Sequence, residues 1–516
     1  MSPRRKRSSK IRLILQLIPV LVVAIAGIVG ATQLDVVREF LAGASGEEAN
    51  LQIDPTVSYG PMTKPWNNLA QGGEMSDWTL EPIQGKVAAL DPEYIRIDHI
   101  YSFYDVVQLN GEQLTYDFTK LDRVVDGITA TGAKPYIALS YMPIPLSDDG
   151  TITGKPKRWE HWQDLVRATI HHYSVEKGIN DVIYEVWNEP DLFGGWKTYG
   201  ENNYLTLYTY ADRGRAQVQN ARPYQFGGPA ITAFYRNWFT GLVEHAQNNN
   251  LRLDFFSWHR YNHDVERFRK DFAEATELRA TYPAMANLEF HVTEYGHDSE
   301  VHVGYDTSYG AAHTAATSIE MVGNIDRAFV FEIEDGKDPK GQERWGRWGL
   351  LTHRDFGNNI KPRYLALRLM NRIGGERVQL LGKGTWVKAV ATRNENTLEM
   401  LVANFDQYGS HVENVPVTFD NMKPGSYTFE VTDTSGQTRQ TPLEAVENTV
   451  STELFMGANS VVYVRLIPQT PEAGPLESPA EAPVETETNP NQVIQPNEAP
   501  AEIQPEEPQT GFGNLL

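Results

Sequence analysis

The sequence contains no cysteine. This absence excludes a disulfide framework, a thiol nucleophile, a zinc–thiolate site and a lipid anchor on cysteine. It does not exclude an extracellular location, because a large hydrophobic core needs no cross-links. Positive charge is also scarce: 46 Lys and Arg face 67 Asp and Glu, which gives a formal net charge of −21. Such an acidic balance argues against nucleic acid as a partner.

The length and composition are those of a globular protein with more than one domain. The chain has 516 residues, of which 41% are apolar, 22% charged and 11% aromatic. Single domains usually hold 100–200 residues, although barrels of about 250 residues are common. One large domain and a smaller one are therefore expected.

The N-terminal residues 1–31 have the pattern of a membrane anchor. Six basic residues precede an apolar run from Leu13 to Ala31, and nineteen helical residues span about 28 Å, close to the thickness of the hydrocarbon layer. The charge asymmetry predicts a single-pass protein of the cell membrane with its N-terminus inside and the remainder extracellular. A cleaved signal peptide and a secreted protein are the alternative, because Val29-Gly30-Ala31 fits a cleavage site. Residues 32–51 are predicted to form a linker.

Residues 52–375 alternate strand-like runs with helical patterns, which predicts an α/β fold, a (β/α)₈ TIM barrel. One helical segment lies within residues 117–132, where four apolar residues follow the i, i+3, i+4, i+7 spacing and Gly132 can end the helix. The expected strands are NNLAQGGE (67–74), YIRID (94–98), KPYIALS (134–140), DVIYEVW (181–187), FGGPAI (226–231), DFFSWH (254–259), LEFHVTE (288–294) and RAFVFEI (327–333).

The remaining sequence divides at two changes of pattern. Residues 376–467 show short runs of period-two alternation separated by turn residues, which predict a small C-terminal antiparallel β-sandwich. Residues 468–516 hold ten Pro, nine Glu and no Lys, Arg or Asp. A tail of this composition cannot bury a core, so disorder is predicted there.

Two carboxylates stand at the predicted ends of barrel strands. Glu189 follows the strand that begins near residue 181, and Glu294 ends the strand that begins near residue 288. Side chains at the carboxyl ends of barrel strands face the active site, and a pair of carboxylates there suits hydrolysis of a glycosidic bond. One acid, with a raised pKa, protonates the leaving oxygen; the other attacks the anomeric carbon or activates water. Asn188 is a candidate partner of a sugar hydroxyl, and Pro190 is expected to hold Glu189 in an extended conformation.

The motifs that carry these residues support a resemblance to a known family. YEVWNEPDL (184–192) followed by HVTEYG (291–296) resembles the acid/base and nucleophile motifs of clan A glycoside hydrolases, which are retaining (β/α)₈ enzymes. The longer stretches at 116–143, 227–230, 254–261 and 348–375 resemble glycoside hydrolase family 39, the family of β-xylosidases and α-L-iduronidases. The likeness covers about residues 66–375, and the sandwich that follows agrees with that family's architecture.

The resemblance implies a role for each matching residue. Glu189 becomes the general acid/base, Glu294 the nucleophile and Asn188 the partner of the sugar 2-hydroxyl. His259 and Tyr261 are expected to face the substrate. Arg96 is expected to lie near the nucleophile and to keep it ionised. The implied mechanism uses no cofactor and no metal.

Three places need a separate reading. Family members often carry His on the second strand, where this chain offers Asp98 or His99. Glu185, four residues before Glu189, is interpreted as a structural residue inside the barrel with Arg96 as a candidate partner. The end of the eighth strand lacks the aromatic platform typical of the clan; it offers three carboxylates instead, and two Trp residues in the following loop are candidate replacements. These residues are Glu332, Glu334, Asp335, Trp345 and Trp348.

Two functions from different classes are consistent with this sequence. The first is a retaining glycoside hydrolase, β-xylosidase-like or related, acting on oligo- or polysaccharides outside the cell. Exo and endo action, the sugar and the oligomeric state stay open, and α-iduronidase activity is the weaker choice because no basic cluster for a uronate is identifiable. The second is a non-catalytic carbohydrate-binding or adhesion protein on a degenerate glycosidase barrel.

Overall fold

A computed structural model describes residues 46–469, except residue 74 and residues 338–346. The predicted anchor at 1–31, most of the linker and almost all of the tail lie outside these residues. Within the described part of the chain, no helix combines the length and the apolar character needed to cross a membrane.

The described strands and helices follow the alternation expected from the sequence. The strands are β1 Leu51–Pro61, β2 Asn68–Gln71, β3 Tyr94–Ile97, β4 Val107–Asn110, β5 Gln113–Tyr116, β6 Lys134–Leu139, β7 Val182–Val186, β8 Tyr224–Ile231, β9 Phe255–Tyr261, β10 Glu289–Gly296, β11 Arg327–Phe331, β12 Glu376–Leu381, β13 Val387–Asn394, β14 Thr397–Asn404, β15 Glu413–Phe419, β16 Ser426–Asp433, β17 Thr438–Glu444, β18 Val450–Met456 and β19 Ser460–Pro468. The α-helices are Gln84–Ala88, Ile100–Phe103, Thr119–Ala130, Trp159–His171, Tyr204–Ala216, Arg236–Asn249, Val265–Ala280, Ser308–Met321 and Pro362–Met370; a π-helical turn at His172–Glu176 and 3₁₀ turns at Pro283–Met285, Val303–Asp306 and Arg354–Phe356 complete them.

Eight parallel strands close into the barrel. Their order around the ring is β2-β3-β6-β7-β8-β9-β10-β11, and β11 pairs with β2 to complete the circle. These are the eight strands predicted from the sequence, so the (β/α)₈ fold is confirmed. Because all neighbours are parallel, the carboxyl ends of the strands meet at one rim of the barrel.

The helix Thr119–Ala130 shows how the local pattern produces the outer layer. Its four apolar residues at helical spacing are fully buried, and each contributes about 2 kcal/mol by leaving water. Gly132, with φ +92°, follows the last turn and donates its amide to the carbonyl of Thr129 at 3.0 Å, which ends the helix as predicted. The buried residues are Leu121, Val124, Val125 and Ile128.

The remaining nine strands outside the barrel and the β4–β5 hairpin form one sheet, in the order β17-β16-β19-β14-β13-β12-β1-β15-β18. The sheet corrects the predicted barrel boundary at residue 52, because β1 pairs with β12 and β15 and so belongs to the C-terminal domain. Leu51 and Ile53 are fully buried in its core, whereas Gln52 between them is exposed. The β1–β15 pair is parallel; every other pairing in the sheet is antiparallel.

The helix Ser308–Met321 packs between the barrel and this sheet. Most of its residues are buried, because one side meets the barrel strands and the other meets the sheet. The ring of Phe405, after β14, lies 5.1 Å from the ring of Tyr309 and 5.0 Å from that of His313. The barrel and the sheet therefore share a packed boundary and belong to one compact unit.

Candidate active site

A cavity of about 540 Å³ opens at the carboxyl ends of the barrel strands. Both predicted catalytic carboxylates are on its wall. Leu192 and Phe193, which are more than 40% exposed, form part of its rim. The lining residues that carry chemistry are Asp98, His99, Tyr141, Asn188, Glu189, Tyr261, Glu294, Glu300 and Trp348.

Glu189 is held by a tight turn after β7. Its φ is +43°, in the left-handed region, so the extended conformation expected from Pro190 is wrong. Tertiary hydrogen bonds explain the difference: the Glu189 amide donates to the carbonyl of Ala230 at 2.9 Å, and the Glu189 carbonyl accepts from the amide of Phe193 at 2.9 Å. Non-glycine residues in this region are strained, and such strain concentrates at functional sites. The turn leaves the Glu189 side chain 15% exposed.

Glu294 lies on β10 with both carboxylate oxygens bonded. Oε1 accepts from Nη1 of Arg96 at 2.9 Å, and Oε2 accepts from the hydroxyl of Tyr261 at 2.9 Å. The side chain is only 8% exposed. Arg96 and Tyr261 come from different strands, β3 and β9, so the closed barrel is needed to bring both to Glu294. The carboxylate is thus fixed in position before any ligand arrives.

Arg96 connects three groups beneath the cavity. It is fully buried, and besides Glu294 it donates from Nε to Glu185 Oε2 at 2.7 Å and from Nη2 to Asn188 Oδ1 at 2.7 Å. Glu185 is therefore the structural partner of Arg96, as interpreted from the sequence. Asn188 in turn donates from Nδ2 to the hydroxyl of Tyr141 at 2.8 Å. This network orients the Asn188 amide at the cavity wall.

His259 lies between the two carboxylates. It sits opposite Glu294 in the β9–β10 pairing. Its Nδ1 is 2.9 Å from Oε1 of Glu189 and 3.5 Å from Oε2 of Glu294. A carboxylate oxygen of Glu189 lies within 4.8 Å of one of Glu294. The ring is completely buried, so it supports the two carboxylates from below the cavity.

Burial and neighbouring charges shift the protonation of these groups in opposite directions. Burial raises the pKa of Glu294 to about 6, even though His259 and Arg96 favour its charged form. Burial alone lowers the pKa of His259, but the Glu294 and Glu189 carboxylates outweigh it and the net shift is upward. Burial also raises the pKa of Asp98 to about 6. Three carboxylates around one cavity therefore compete for charge, and they titrate as a coupled group.

Two sets of described side chains have the spacing of metal ligands. Hydrogen bonds already join members of both sets, because His263 Nε2 lies 3.2 Å from Asp298 Oδ2 just as His259 meets Glu189. That the reaction uses no cofactor stays a prediction. The sets are Glu189 with His259 and Glu294, and His263 with Asp298 and His302.

The predicted substrate contacts divide into three groups. Asn188 and Tyr261 line the cavity with Glu189 and Glu294. Arg96 and His259 lie beneath its wall, each completely buried, so their contact with substrate stays a prediction. Trp345 lies outside the described residues.

The loop after β11 was read only in part from the sequence. Trp348 lines the cavity together with Phe331, and the two ring centroids are 5.7 Å apart, so aromatic side chains stand at this wall after all. Glu334 is fully buried and accepts from Trp78 Nε1 at 3.1 Å and from Arg354 Nη2 at 2.9 Å. It anchors the loop and does not line the cavity.

Two cavity residues were missed or left undecided. Tyr141, which holds Asn188, follows β6, and its position after a barrel strand was the available signal. The sequence could not choose between Asp98 and His99, and the structure places both on the wall. His99 additionally lies 3.0 Å from Ser102 Oγ through its Nδ1.

Comparison with known families places the chain among sugar-cleaving enzymes. The model of the family described as glycosyl hydrolases family 39 matches residues 51–424. A β-xylosidase of Geobacillus stearothermophilus is 29% identical over 308 residues, 53% of this chain and 60% of that enzyme. A β-xylosidase of Caldicellulosiruptor saccharolyticus is 27% identical over 343 residues, 60% of this chain and 67% of that enzyme. The chain thus spans less than two thirds of the first relative's length.

Solved structures share the fold. The GH39 enzyme from Xanthomonas axonopodis pv. citri superposes with a TM-score of 0.67 at 18% identity, covering 82% of this chain and 98% of that one. A monomeric β-xylosidase from Caulobacter crescentus CB15 gives a TM-score of 0.66 at 20% identity, covering 82% of this chain and all of that one. At these identities the likeness concerns the fold alone.

Proposed function

The chain belongs to glycosyl hydrolases family 39, and we propose that it is a retaining glycoside hydrolase that cleaves O-glycosidic bonds in oligo- or polysaccharides. The observation that carries the proposal is the pair of carboxylates on one cavity wall, with oxygens within 4.8 Å of each other and His259 between them. Retaining enzymes hold their two carboxyl groups about 5–5.5 Å apart, whereas inverting enzymes need about 6.5–9.5 Å to admit a water. The short spacing in this cavity favours retention.

In the first step Glu294 attacks the anomeric carbon and forms a glycosyl ester as the bond to the leaving oxygen breaks. Glu189 gives its proton to that oxygen, so the aglycone leaves as a neutral alcohol. Arg96 and Tyr261 stabilise the ionised form of Glu294 before attack, because both donate hydrogen bonds to it. The Asn188 amide is placed to hold a sugar hydroxyl, since Arg96 and Tyr141 fix its orientation.

In the second step a water attacks the anomeric carbon on the face opposite Glu294 and releases that carboxylate. Glu189, now ionised, takes a proton from the water and returns to its starting state. Two inversions at the same carbon give net retention. Because Glu294 and Glu189 share His259 and a buried cavity, the pair holds one proton in its working state, and the arriving glycosidic oxygen draws that proton to Glu189.

The sugar is proposed to be neutral and xylose-like. Both curated relatives are β-xylosidases. The ionisable groups on the described cavity wall include four carboxylates, those of Asp98, Glu189, Glu294 and Glu300, which disfavour a uronate. We further propose that residues 1–31 anchor the protein in the cell membrane with the catalytic domain outside. Protease treatment of intact cells should therefore degrade the barrel domain, whereas full protection would contradict this location.

The test of catalysis uses leaving-group dependence. Glu189→Ala should lower kcat/KM about 10²–10⁴-fold for alkyl xylosides, whose leaving oxygen needs a proton. For 2,4-dinitrophenyl xyloside the first step should survive, seen as a burst of dinitrophenol, because that leaving group departs without a proton. Glu294→Ala should abolish turnover of both substrates. Glu112→Ala, an exposed surface change with the side chain 85% exposed, is the control. Unchanged hydrolysis by either active-site variant would refute the proposal.

A further inference from the structure

Asp98 is a buried carboxyl on the cavity wall that the mechanism above does not use. It follows β3 directly, two residues after Arg96, and is only 7% exposed. It lines the same cavity as Glu189 and Glu294. Within the described residues its Oδ1 is buried and has no hydrogen-bond partner.

The neighbouring groups leave this carboxyl unsatisfied. Arg96 is the nearest permanent cation in sequence, but its Nε, Nη1 and Nη2 already donate to Glu185, Glu294 and Asn188. The charges that act on Asp98 are Arg96 and His259, which favour its ionised form, and Glu189 and Glu185, which oppose it.

A buried polar group without a hydrogen bond costs about 1–3 kcal/mol or more, and native proteins keep few of them. A carboxyl is the more expensive case, because its charge also loses solvation. An unpaired carboxyl therefore needs an explanation, and this one stands on the wall of a cavity where a ligand with hydroxyl groups is expected to bind. A hydroxyl that donates to it would remove the deficit.

We propose that Asp98 is a specificity-determining residue that accepts a hydrogen bond from one hydroxyl of the bound glycone, so that sugars lacking that hydroxyl are rejected. The inference rests on the proposed glycosidase function and adds to it a residue that touches substrate. Its role is separate from proton transfer and from attack, because Glu189 and Glu294 carry those steps. Arg96 and His259 hold positive charge nearby and so support the ionised, accepting form.

The experiment compares 4-nitrophenyl β-xyloside with its 2-, 3- and 4-deoxy analogues on the wild type, Asp98→Ala and Asp98→Asn. In the wild type, the analogue lacking the recognised hydroxyl should lose about 10–100-fold in kcat/KM through this contact, the worth of a hydrogen bond to a charged group. Asp98→Ala should lower kcat/KM by the same factor for the parent and for the other two analogues. For the analogue that lacks the recognised hydroxyl, Asp98→Ala should change kcat/KM less than about threefold, since the contact is already missing.

The matched control is Asp105→Asn, in the same segment after β3, where the side chain is 75% exposed and pairs only with Lys120 at the surface. It should leave all four kcat/KM values unchanged. An equal loss on all four substrates in Asp98→Ala would show a structural role and overturn the proposal. If the wild type turns over no glycoside, the proposed function fails, and the same four compounds are then compared by calorimetric binding, where the same pattern supports Asp98 and a uniform loss refutes it.

Discussion

Replacing Glu294 by Gln should stabilise the folded protein while abolishing its activity. The carboxylate is buried, and burial raises its pKa from the ordinary value of 4.5 to about 6. Each pKa unit corresponds to about 1.4 kcal/mol, so the charged form costs the native state about 2 kcal/mol at pH 8 relative to the unfolded chain. Gln has nearly the same shape and still offers an oxygen to Arg96 and a polar group to Tyr261, so the substitution mainly removes this electrostatic cost.

The pH dependence gives the prediction its sign. Below about pH 4.5 Glu294 is protonated in both the folded and the unfolded state, and the difference between variant and wild type should vanish. As pH rises from about 4.5 to 6, the unfolded chain ionises first and the wild type loses stability. Above pH 6 the full difference of about 2 kcal/mol should be present. The gap in unfolding free energy should therefore open with increasing pH.

Urea unfolding followed by Trp fluorescence at pH 4.5 and pH 8 measures this gap. The control is Glu112→Gln, the same chemical change at a side chain that is 85% exposed, which should shift neither value by more than about 0.5 kcal/mol. A Glu294→Gln variant that is less stable than the wild type at pH 8, or equally stabilised at both pH values, would refute the reasoning about burial.

Three further predictions concern the support of the site and the fold. Arg96→Met should destabilise the protein by about 3–5 kcal/mol in urea unfolding, because it leaves Glu185 and Glu294 buried without their cation; an unchanged midpoint would contradict the network. Tyr261→Phe removes a hydrogen bond that favours ionised Glu294, so the acidic limb of the kcat/KM profile should move to higher pH, and a downward shift would oppose this. Ile53→Ala should cost about 2–5 kcal/mol if β1 packs in the C-terminal sheet, whereas a surface linker residue would cost less than about 0.5 kcal/mol.

The barrel could be predicted from the sequence because its signals are local. Each of the eight strands carries its own apolar run, and helices such as Thr119–Ala130 carry their own periodic stripe. The positions of Glu189 and Glu294 followed directly, since the closed ring brings strand ends together wherever they lie in the chain.

Features that depend on distant partners could not be predicted in the same way. Strand β1 pairs with β12, more than 300 residues later, and no local pattern encodes that pairing. The left-handed backbone of Glu189 arises from the carbonyl of Ala230 and the turn that follows, which overrode the preference imposed by Pro190. The choice between Asp98 and His99 also needed three dimensions, because adjacent residues at a strand end can both reach the cavity.

The central claim is that Glu294 forms a covalent glycosyl ester during catalysis. The direct measurement is mass spectrometry of the protein, intact and after peptic digestion, following incubation with 2,4-dinitrophenyl 2-deoxy-2-fluoro-β-xyloside, which slows release of the ester. The account predicts one added fluoroxylosyl group per chain, located on the peptide that contains Glu294, and no addition to Glu294→Gln. An adduct on another residue, or active enzyme that accumulates no adduct, would contradict it.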